Sequence, residues 1–354
     1  MAKSVHSWWT PEGFQARRAN LARRAAIAAA TRAYFTQAGF VEVETPALQV
    51  SPGMEPHLVA FATELQAPGN VTQRRLYLHT SPEFAMKKLL VAGVPRLFQL
   101  ARVFRNAERS ATHHPEFTML EWYRAGARYL DLVDDCEGLL RASADAAGVD
   151  VLTWQGRRCD PRAKCERISV AEAFQRHANT DLLATIADPA APSLRGLAAA
   201  ARTLGIATRP GDGWDDIFFR IFLERIEPNL GIDRPTILYD YPTAMAALAR
   251  LKPGDPRLCE RFELYACGLE LANAFGELTD AAEQRRRFAA DQDLKERRYG
   301  ARYPVDDDFI AALEHGLPES AGIALGFDRL VMLATGAETI EDVLWAPVVE
   351  LDNK

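Results

Sequence analysis

No stretch of this sequence approaches 20 consecutive uncharged apolar residues, so a membrane-spanning helix is not expected. The N-terminal MAKSVHSWWTPEG lacks the apolar core of a secretory signal. Cysteine is sparse, five in 354 residues, and the odd count holds no CxxC pair or nearby histidine pair of the zinc-binding kind. A net charge of −6 supplies no broad pull toward nucleic acid and leaves only a local basic patch for that purpose. Internal repeats and low-complexity linkers are missing as well. What remains is a globular composition, 48% hydrophobic and 25% charged, long enough for one large domain or two ordinary ones. Reduced thiols without an export signal make a cytoplasmic enzyme the expectation.

Thr10-Pro11-Glu12 has the form of an N-cap, a proline in the first turn and an acid matched to the helix dipole. An alanine-rich helix then runs toward Gly39, a C-terminal stop. At about 100° per residue, Arg17, Arg18, Arg24 and Arg32 fall within roughly a third of its circumference. That stripe reads either as a solvated face or as a docking surface for an acidic partner. In GFVEVETP, Val41 and Val43 alternate with Glu42 and Glu44 as in a half-buried strand, with Pro46 at its end or edge. Residues 76–79 form a further expected strand, feeding Thr80-Ser81-Pro82-Glu83, a second cap-and-proline helix start that Gly93 closes. Residues 131–232 are rich in alanine and leucine, are broken by proline and glycine, and alternate little. They read as a mainly helical insertion between two sheet-forming parts, so that residues 1–354 make one catalytic domain. Strand signals resume at 236–241 and 261–273, and a charged helix follows near 281–299.

The chemistry concentrates in FRNAERSATHHPEFTMLEWY, residues 104–123, which has the form of a β-hairpin. Alternation along its return strand puts Phe117, Met119, Glu121 and Tyr123 on one face. A core-facing row would be apolar throughout; two aromatics with a carboxylate suit a pocket. Arg105 at the lip serves either a surface ion pair or, as a planar fork, a phosphate. Phe117 is either core or a face on which a purine stacks. Arg329, just after Gly326 in GIALGFDRLVML, would clamp such a ring from the other side. Gly322 and Gly326 permit close backbone approach to a ligand. In LELANAFGEL, Glu270 and Glu277 are seven apart, on opposite faces of a regular strand, so a shared site needs a bend that Gly276 allows. Two carboxylates beside a triphosphate would hold magnesium; otherwise they are exposed loop acids. Ser81 and Glu83 divide in the same way between helix capping and contact with a bound ammonium group.

Together and in this order, GFVEVETP, FRNAER…HHPEFTMLEWY and GIALGFDR resemble motifs 1, 2 and 3 of the class II aminoacyl-tRNA synthetases. The resemblance is nearest to the lysyl subgroup and covers nearly the whole chain. It implies an α+β fold, a mostly antiparallel sheet flanked by helices, and a homodimer formed through motif 1. It implies ATP as cosubstrate with Mg2+, Arg105 gripping the α-phosphate while Phe117 and Arg329 sandwich adenine. Arg105 and Arg329 match catalytic positions, and Asn106, Ala107, His114, Glu270, Leu271 and Gly326 match further ATP positions. Glu270 and Glu277 match metal positions. Ser81, Glu83, Tyr123, Glu277 and Ala324 match a pocket for a lysine-type amino acid, whose ammonium groups the carboxylates neutralise. Two features resemble a branch of the family that attaches (R)-β-lysine to a lysine of elongation factor P. The first helix begins near Thr10, which leaves no room for the N-terminal OB-fold that reads an anticodon, and Ala324 stands where lysyl-tRNA synthetases usually have glycine. The acceptor factor is acidic and tRNA-shaped, which gives the arginine stripe a partner to dock. A tRNA or a membrane is then not expected as a partner.

The chain also departs from the family pattern. FRNA replaces FRNE at Ala107, His114 replaces an asparagine, and ANAFGEL replaces ANGFHEL through Ala274 and Gly276. These changes bear on adenine contacts and amino-acid preference. Two other readings stay open: a ligase of the same chemistry that charges another amino acid or a tRNA-type acceptor, and a catalytically silent amino-acid-binding paralogue. The presence of both Arg105 and Arg329 counts against the silent paralogue.

Overall fold

The computed structural model describes residues 7–66, 69, 73–246 and 248–348. Helix α1 (Pro11–Gln37) begins as its cap signals require: Thr10 Oγ1 accepts from the Gly13 amide at 3.1 Å, and Gly39 ends it at φ +79°. Short β1 (Val41–Glu42) and β2 (Leu48–Gln49) precede the hairpin of β3 (Ala62–Gln66) and β4 (Gln73–Leu78). Next come α2 (Glu83–Val91) and the long hairpin of β5 (Arg96–Phe104) and β6 (Glu116–Ala125). The middle of the chain holds α3 (Leu132–Ala147), β7 (Leu152–Trp154), β8 (Arg157–Cys159), β9 (Glu166–Ser169), α4 (Val170–Ala178), α5 (Leu194–Thr203) and α6 (Trp214–Ile221). It ends with β10 (Thr236–Pro242), β11 (Leu258–Ala266), β12 (Leu269–Gly276), α7 (Ala281–Tyr299), α8 (Asp307–Gly316), β13 (Ser320–Gly326) and α9 (Phe327–Thr335).

The main sheet has eight strands in the order β1-β5-β6-β13-β12-β11-β10-β9. It is antiparallel through its middle and parallel only where β1 meets β5 and β9 meets β10. The expected α+β fold with a mostly antiparallel sheet is therefore the one observed. One face of the sheet, through Phe98, Leu120, Trp122, Ile323 and Leu325, is sealed by α1, α3 and α9 into the principal core. The other face, flanked by the Phe84, Phe288 and Phe309 cluster of α2, α7 and α8, is left partly open and carries the cavity described below.

Within residues 131–232 the helices are interrupted by the β7–β8 hairpin and by β9, an edge strand of the main sheet. Leu132, Val133, Cys136 and Leu139 of α3 lie in the principal core beside Ile27 and Phe35 of α1. Helices α4, α5 and α6 instead build a separate cluster around Phe174 and Phe218, against Leu238 and Tyr241 of β10. The described cysteines are free thiols. Among the described residues no helix is long and apolar enough to cross a membrane.

Two sequence readings fail here for physical reasons. Val41 and Glu42 alternate, but β1 is only two residues long at the sheet edge, and Val41 is 54% exposed rather than half-buried. The arginine stripe of α1 is not a surface either. Arg17, 9% exposed, donates to the Leu344 carbonyl at 2.5 Å and the Glu341 carbonyl at 3.1 Å. Arg24, 6% exposed, pairs with Asp328 of α9 and donates to Thr118 Oγ1 at 2.9 Å. The segment at 340–344 and α9 cover that flank, leaving Arg18 exposed and Arg32 on Glu42 at 2.8 Å. A stripe half consumed by internal pairing offers no continuous docking surface for an acidic partner.

Candidate active site

The cavity, about 350 Å³, opens on the face of the sheet that β6 was expected to line. Phe117 and Met119 form part of its wall, with Glu121 and Tyr123 buried farther along the same row, while Leu120 and Trp122 point into the core. Strand β13 lies between β6 and β12, so that Ala324 is paired across from Glu121 on one side and Asn273 on the other. Gly322 is required there: a Cβ would come within 2.2 Å of the Tyr123 ring and 2.3 Å of Glu277 Oε1.

Strand β12 solves the seven-residue spacing differently from the expected bend at Gly276. Leu264 of β11 pairs with Ala272 and the next residue, Tyr265, pairs with Glu270, so Leu271 is an extra residue in β12. A one-residue bulge inverts the alternation beyond it. Glu270 therefore shares a face with Asn273 and Phe275, which line the cavity, and the chain reaches Glu277 in the same phase.

One end of the cavity is acidic. Ser81 Oγ donates to Glu121 Oε1 at 2.6 Å and Tyr123 OH donates to Glu121 Oε2 at 2.9 Å. The N-cap of α2 is Pro82 rather than the expected Ser81, one residue before it; Ser81 Oγ still accepts from the Glu83 amide at 3.1 Å, so it braces the helix start and orients a buried carboxylate at once. Burial and the neighbouring Glu83 push the Glu121 carboxyl up to about 8. Lys87 is wholly buried between Glu83 and Glu277, 2.5 Å from each. Burial opposes its charge, but those two carboxylates more than reverse the effect and hold it above the usual lysine range. Glu277 is raised by burial despite Lys87. The 51–60 segment adds Glu55, which the sequence reading did not single out.

The other end is basic. Arg105 lies over the Phe117 ring, its guanidinium carbon 5.3 Å from the centroid. Arg329 donates to the Glu270 carbonyl at 2.9 Å and the Thr112 carbonyl at 3.3 Å, and its Nη2 is 2.8 Å from His113 Nε2. Burial, with the charges of Arg329 and Arg105, pulls His113 down to about 4. His113 is thus neutral, accepting from Arg329 through Nε2 with its other nitrogen 2.8 Å from Ser110 Oγ. Among the described residues neither Arg105 nor Arg329 has a carboxylate within ion-pair distance. Two arginines converging on a cavity without acidic partners form a site for an anion.

The cavity brings together Ser81, Glu83, Arg105, His114, Phe117, Glu270, Leu271, Ala324, Gly326 and Arg329. Tyr123 and Glu277 are buried beside Gly322 rather than on the wall. Asn106 and Ala107 sit exposed at the hairpin lip, where Asn106 bridges to Val59 and Ala107 adopts φ +62°. His114 is fixed by the Glu116 carbonyl at 2.7 Å and the Val348 amide at 3.2 Å. Arg261 and Asn273 also line the cavity and had not been singled out. Alternation from Glu270 would have found Asn273 only with the bulge known. Glu270 and Glu277 do not act as a free pair, because Glu277 is ion-paired with Lys87. Among the described residues no cluster of three or more metal-ligating side chains occurs. The Glu270 carboxylate, raised by burial and by Glu263, makes no hydrogen bond among the described residues and fits a magnesium ion carried mainly by phosphates.

A mostly antiparallel sheet that sets an arginine-lined and an acid-lined recess on one open face defines a class II synthetase catalytic domain. The chain belongs to the class II tRNA synthetase family (D, K and N), whose family model matches residues 14–350. A Klebsiella pneumoniae relative, named elongation factor P–(R)-β-lysine ligase, is 44% identical over 325 residues, 92% of this chain and 94% of its own. A relative of the same name from Yersinia enterocolitica is 43% identical over 330 residues, 93% of this chain and 95% of its own. Another from Edwardsiella ictaluri is 40% identical over 326 residues, 92% and 94% of the two chains.

Proposed function

We propose that this protein is an ATP-dependent ligase that activates a lysine-type diamino acid, (R)-β-lysine first among them, and transfers it to a lysine of elongation factor P. The observation that carries this reading is the two-ended cavity: Arg105 and Arg329, without an ion-pair partner among the described residues, at one end, and an excess of carboxylates at the other. A triphosphate suits the first and ammonium groups suit the second. In the first step an amino-acid carboxylate oxygen attacks the α-phosphorus; a new P–O bond forms as the bond to pyrophosphate breaks. In the second, the acceptor lysine amine attacks the activated carbonyl, an amide forms, AMP leaves and the amine loses a proton.

No side chain needs to become covalently attached. Arg105 is placed to stabilise charge as it develops on the α-phosphate oxygens, and Arg329, fixed by three contacts, to hold the nucleotide against Phe117. Magnesium would neutralise phosphate charge, with Glu270 as its protein ligand. Glu121, Glu83 and Tyr123 would orient the amino acid. The same reading makes the protein a cytoplasmic homodimer, for which exposed Val41 and Leu48 supply apolar surface near motif 1. Amino-acid-dependent exchange of pyrophosphate into ATP tests it, with (R)-β-lysine, α-lysine and the other standard amino acids assayed separately. Exchange strongest with (R)-β-lysine, followed by the matching mass increase on elongation factor P, is the expected result. No exchange in protein that binds ATP would overturn it.

A further inference from the structure

Four carboxylates, those of Glu55, Glu83, Glu121 and Glu277, gather around the acidic end of the cavity, and one lysine, Lys87, is shared between two of them. Glu121 has two neutral donors. Glu55 has less: its Oε2 is shut off from solvent and meets no hydrogen-bond partner among the described residues. Its carboxyl is raised by burial and by Glu83, while a hydrogen bond from its own backbone and the charges of Arg105 and Lys87 offset this only in part. Asp291 on α7 feels the charge of Glu55 in turn, and burial together with that charge pushes it up to about 7. A buried carboxylate among like charges is costly unless something cationic arrives.

The fold nevertheless holds Glu55 in place. Lys295, 3% exposed, reaches from α7 and donates to the Pro56 carbonyl at 2.9 Å and the Leu58 carbonyl at 2.6 Å. Tyr303 OH accepts from the Ala60 amide at 2.9 Å. Gly53, at φ +129°, turns the chain so tightly that a Cβ there would lie 2.8 Å from Glu55 Oε2. A carboxylate on a braced segment, lining a cavity and with one oxygen left without a partner among the described residues, is a ligand group.

We propose that Glu55 receives one of the two ammonium groups of the amino-acid substrate, making it a specificity-determining residue that selects doubly cationic amino acids; this rests on the amino-acid reading of the cavity. The second ammonium falls to the Glu121 end. A monoamino acid would leave one buried carboxylate unpaired, and a site built to pair a polar group rejects ligands that lack it.

The test is pyrophosphate exchange by the full-length wild type, Glu55→Gln and Glu55→Asp, with (R)-β-lysine and α-lysine as probes, alongside thermal unfolding without ligand. Glu55→Gln should raise the amino-acid KM about tenfold or more and leave the ATP KM within about twofold. Glu55→Asp should recover much of the loss. Glu55→Gln should also unfold at a higher temperature than wild type without ligand, because a like charge has been removed; a merely structural residue would lower it. Wild-type exchange combined with an unchanged amino-acid KM in Glu55→Gln, or with a raised KM accompanied by a lowered unfolding temperature, overturns the inference alone. Wild-type exchange with neither diamino acid overturns the amino-acid reading, and the inference falls with it.

Discussion

Replacing Arg24 by methionine should cost this protein much of its stability while leaving its surface almost unchanged. Arg24 and Asp328 form an ion pair whose side chains are 7% and 1% exposed. Asp328 Oδ2 also accepts from the Thr118 amide at 2.6 Å, and Arg24 donates to Thr118 Oγ1 and, at 3.2 Å, to the Val343 carbonyl. Methionine keeps most of the apolar stem but leaves Asp328 buried without its cation. Breaking a buried pair from one side typically costs about 3–5 kcal/mol, against a total stability of about 5–15 kcal/mol. With a urea m-value of about 3 kcal/mol/M, the midpoint should fall by about 1 M or more. Arg18→Met on the exposed flank is the control, expected within about 0.5 kcal/mol of wild type. The double variant Arg24→Met/Asp328→Asn should cost clearly less than the two single losses added together. An Arg24→Met loss below about 1 kcal/mol, with elongation factor P modification weakened instead, would refute this reasoning and restore the docking role.

Arg105→Ala should lower kcat/KM about 10²–10³-fold, the cost of removing one preorganised donor to a developing oxyanion, while its urea midpoint changes little, because among the described residues Arg105 loses only its contact with the Phe117 ring and no ion pair; a large midpoint shift would show a structural role instead. Glu121 predicts a pH dependence. Its carboxyl is raised to about 8 from the ordinary 4.5, so between those values the folded state keeps a proton that the unfolded chain has released. The stability it contributes to the ligand-free protein therefore falls as pH rises across that window, and Glu121→Gln should make the slope shallower while the other raised carboxyls, Glu277, Glu270 and Asp291, keep the rest. Because a bound ammonium group favours the ionised carboxylate, the wild-type amino-acid KM should also fall as pH rises through about 7–9, and a flat profile would contradict the assignment. Gly322→Ala should destabilise by about 1–3 kcal/mol and raise the amino-acid KM, since its methyl must displace Tyr123 and Glu277; wild-type values for both would show that the close approach is relaxed in solution.

What could be read in advance was whatever repeats along one strand or caps one helix. The row from Phe117 to Tyr123 and the glycines of β13 follow from local periodicity and backbone need and are observed in the cavity or beside it, and the start of α1 follows from its cap signals. The failures share one cause. Whether an arginine faces water or a buried aspartate is decided by a partner 304 residues away, so the helical wheel placed Arg24 on the correct flank and could not say what covered it. The bulge at Leu271 is likewise set by β11, not by β12 itself, and a single uncounted residue reversed the inferred relation of Glu270 to Glu277.

The two kinds of buried charge separate structure from function in this molecule. At Arg24 and Asp328 each charge has its counterpart and further hydrogen bonds, so the pair holds α1, α9 and β6 together and belongs to stability. At Glu55, Glu83, Glu121 and Glu277 the counterparts are too few, and among the described residues neither Arg105 nor Arg329 has a carboxylate within ion-pair distance. A fold selected for stability alone would have no reason to leave an excess of carboxylates around Glu121 and two arginines out of ion-pair reach of an acid in the same cavity. Separation of that kind is stable only while the rest of the domain supports it, and it is relieved when a ligand carrying both signs binds. An ammonium-bearing amino acid and a polyphosphate meeting in one cavity supply both signs, and their binding should raise the unfolding temperature more together than either does alone.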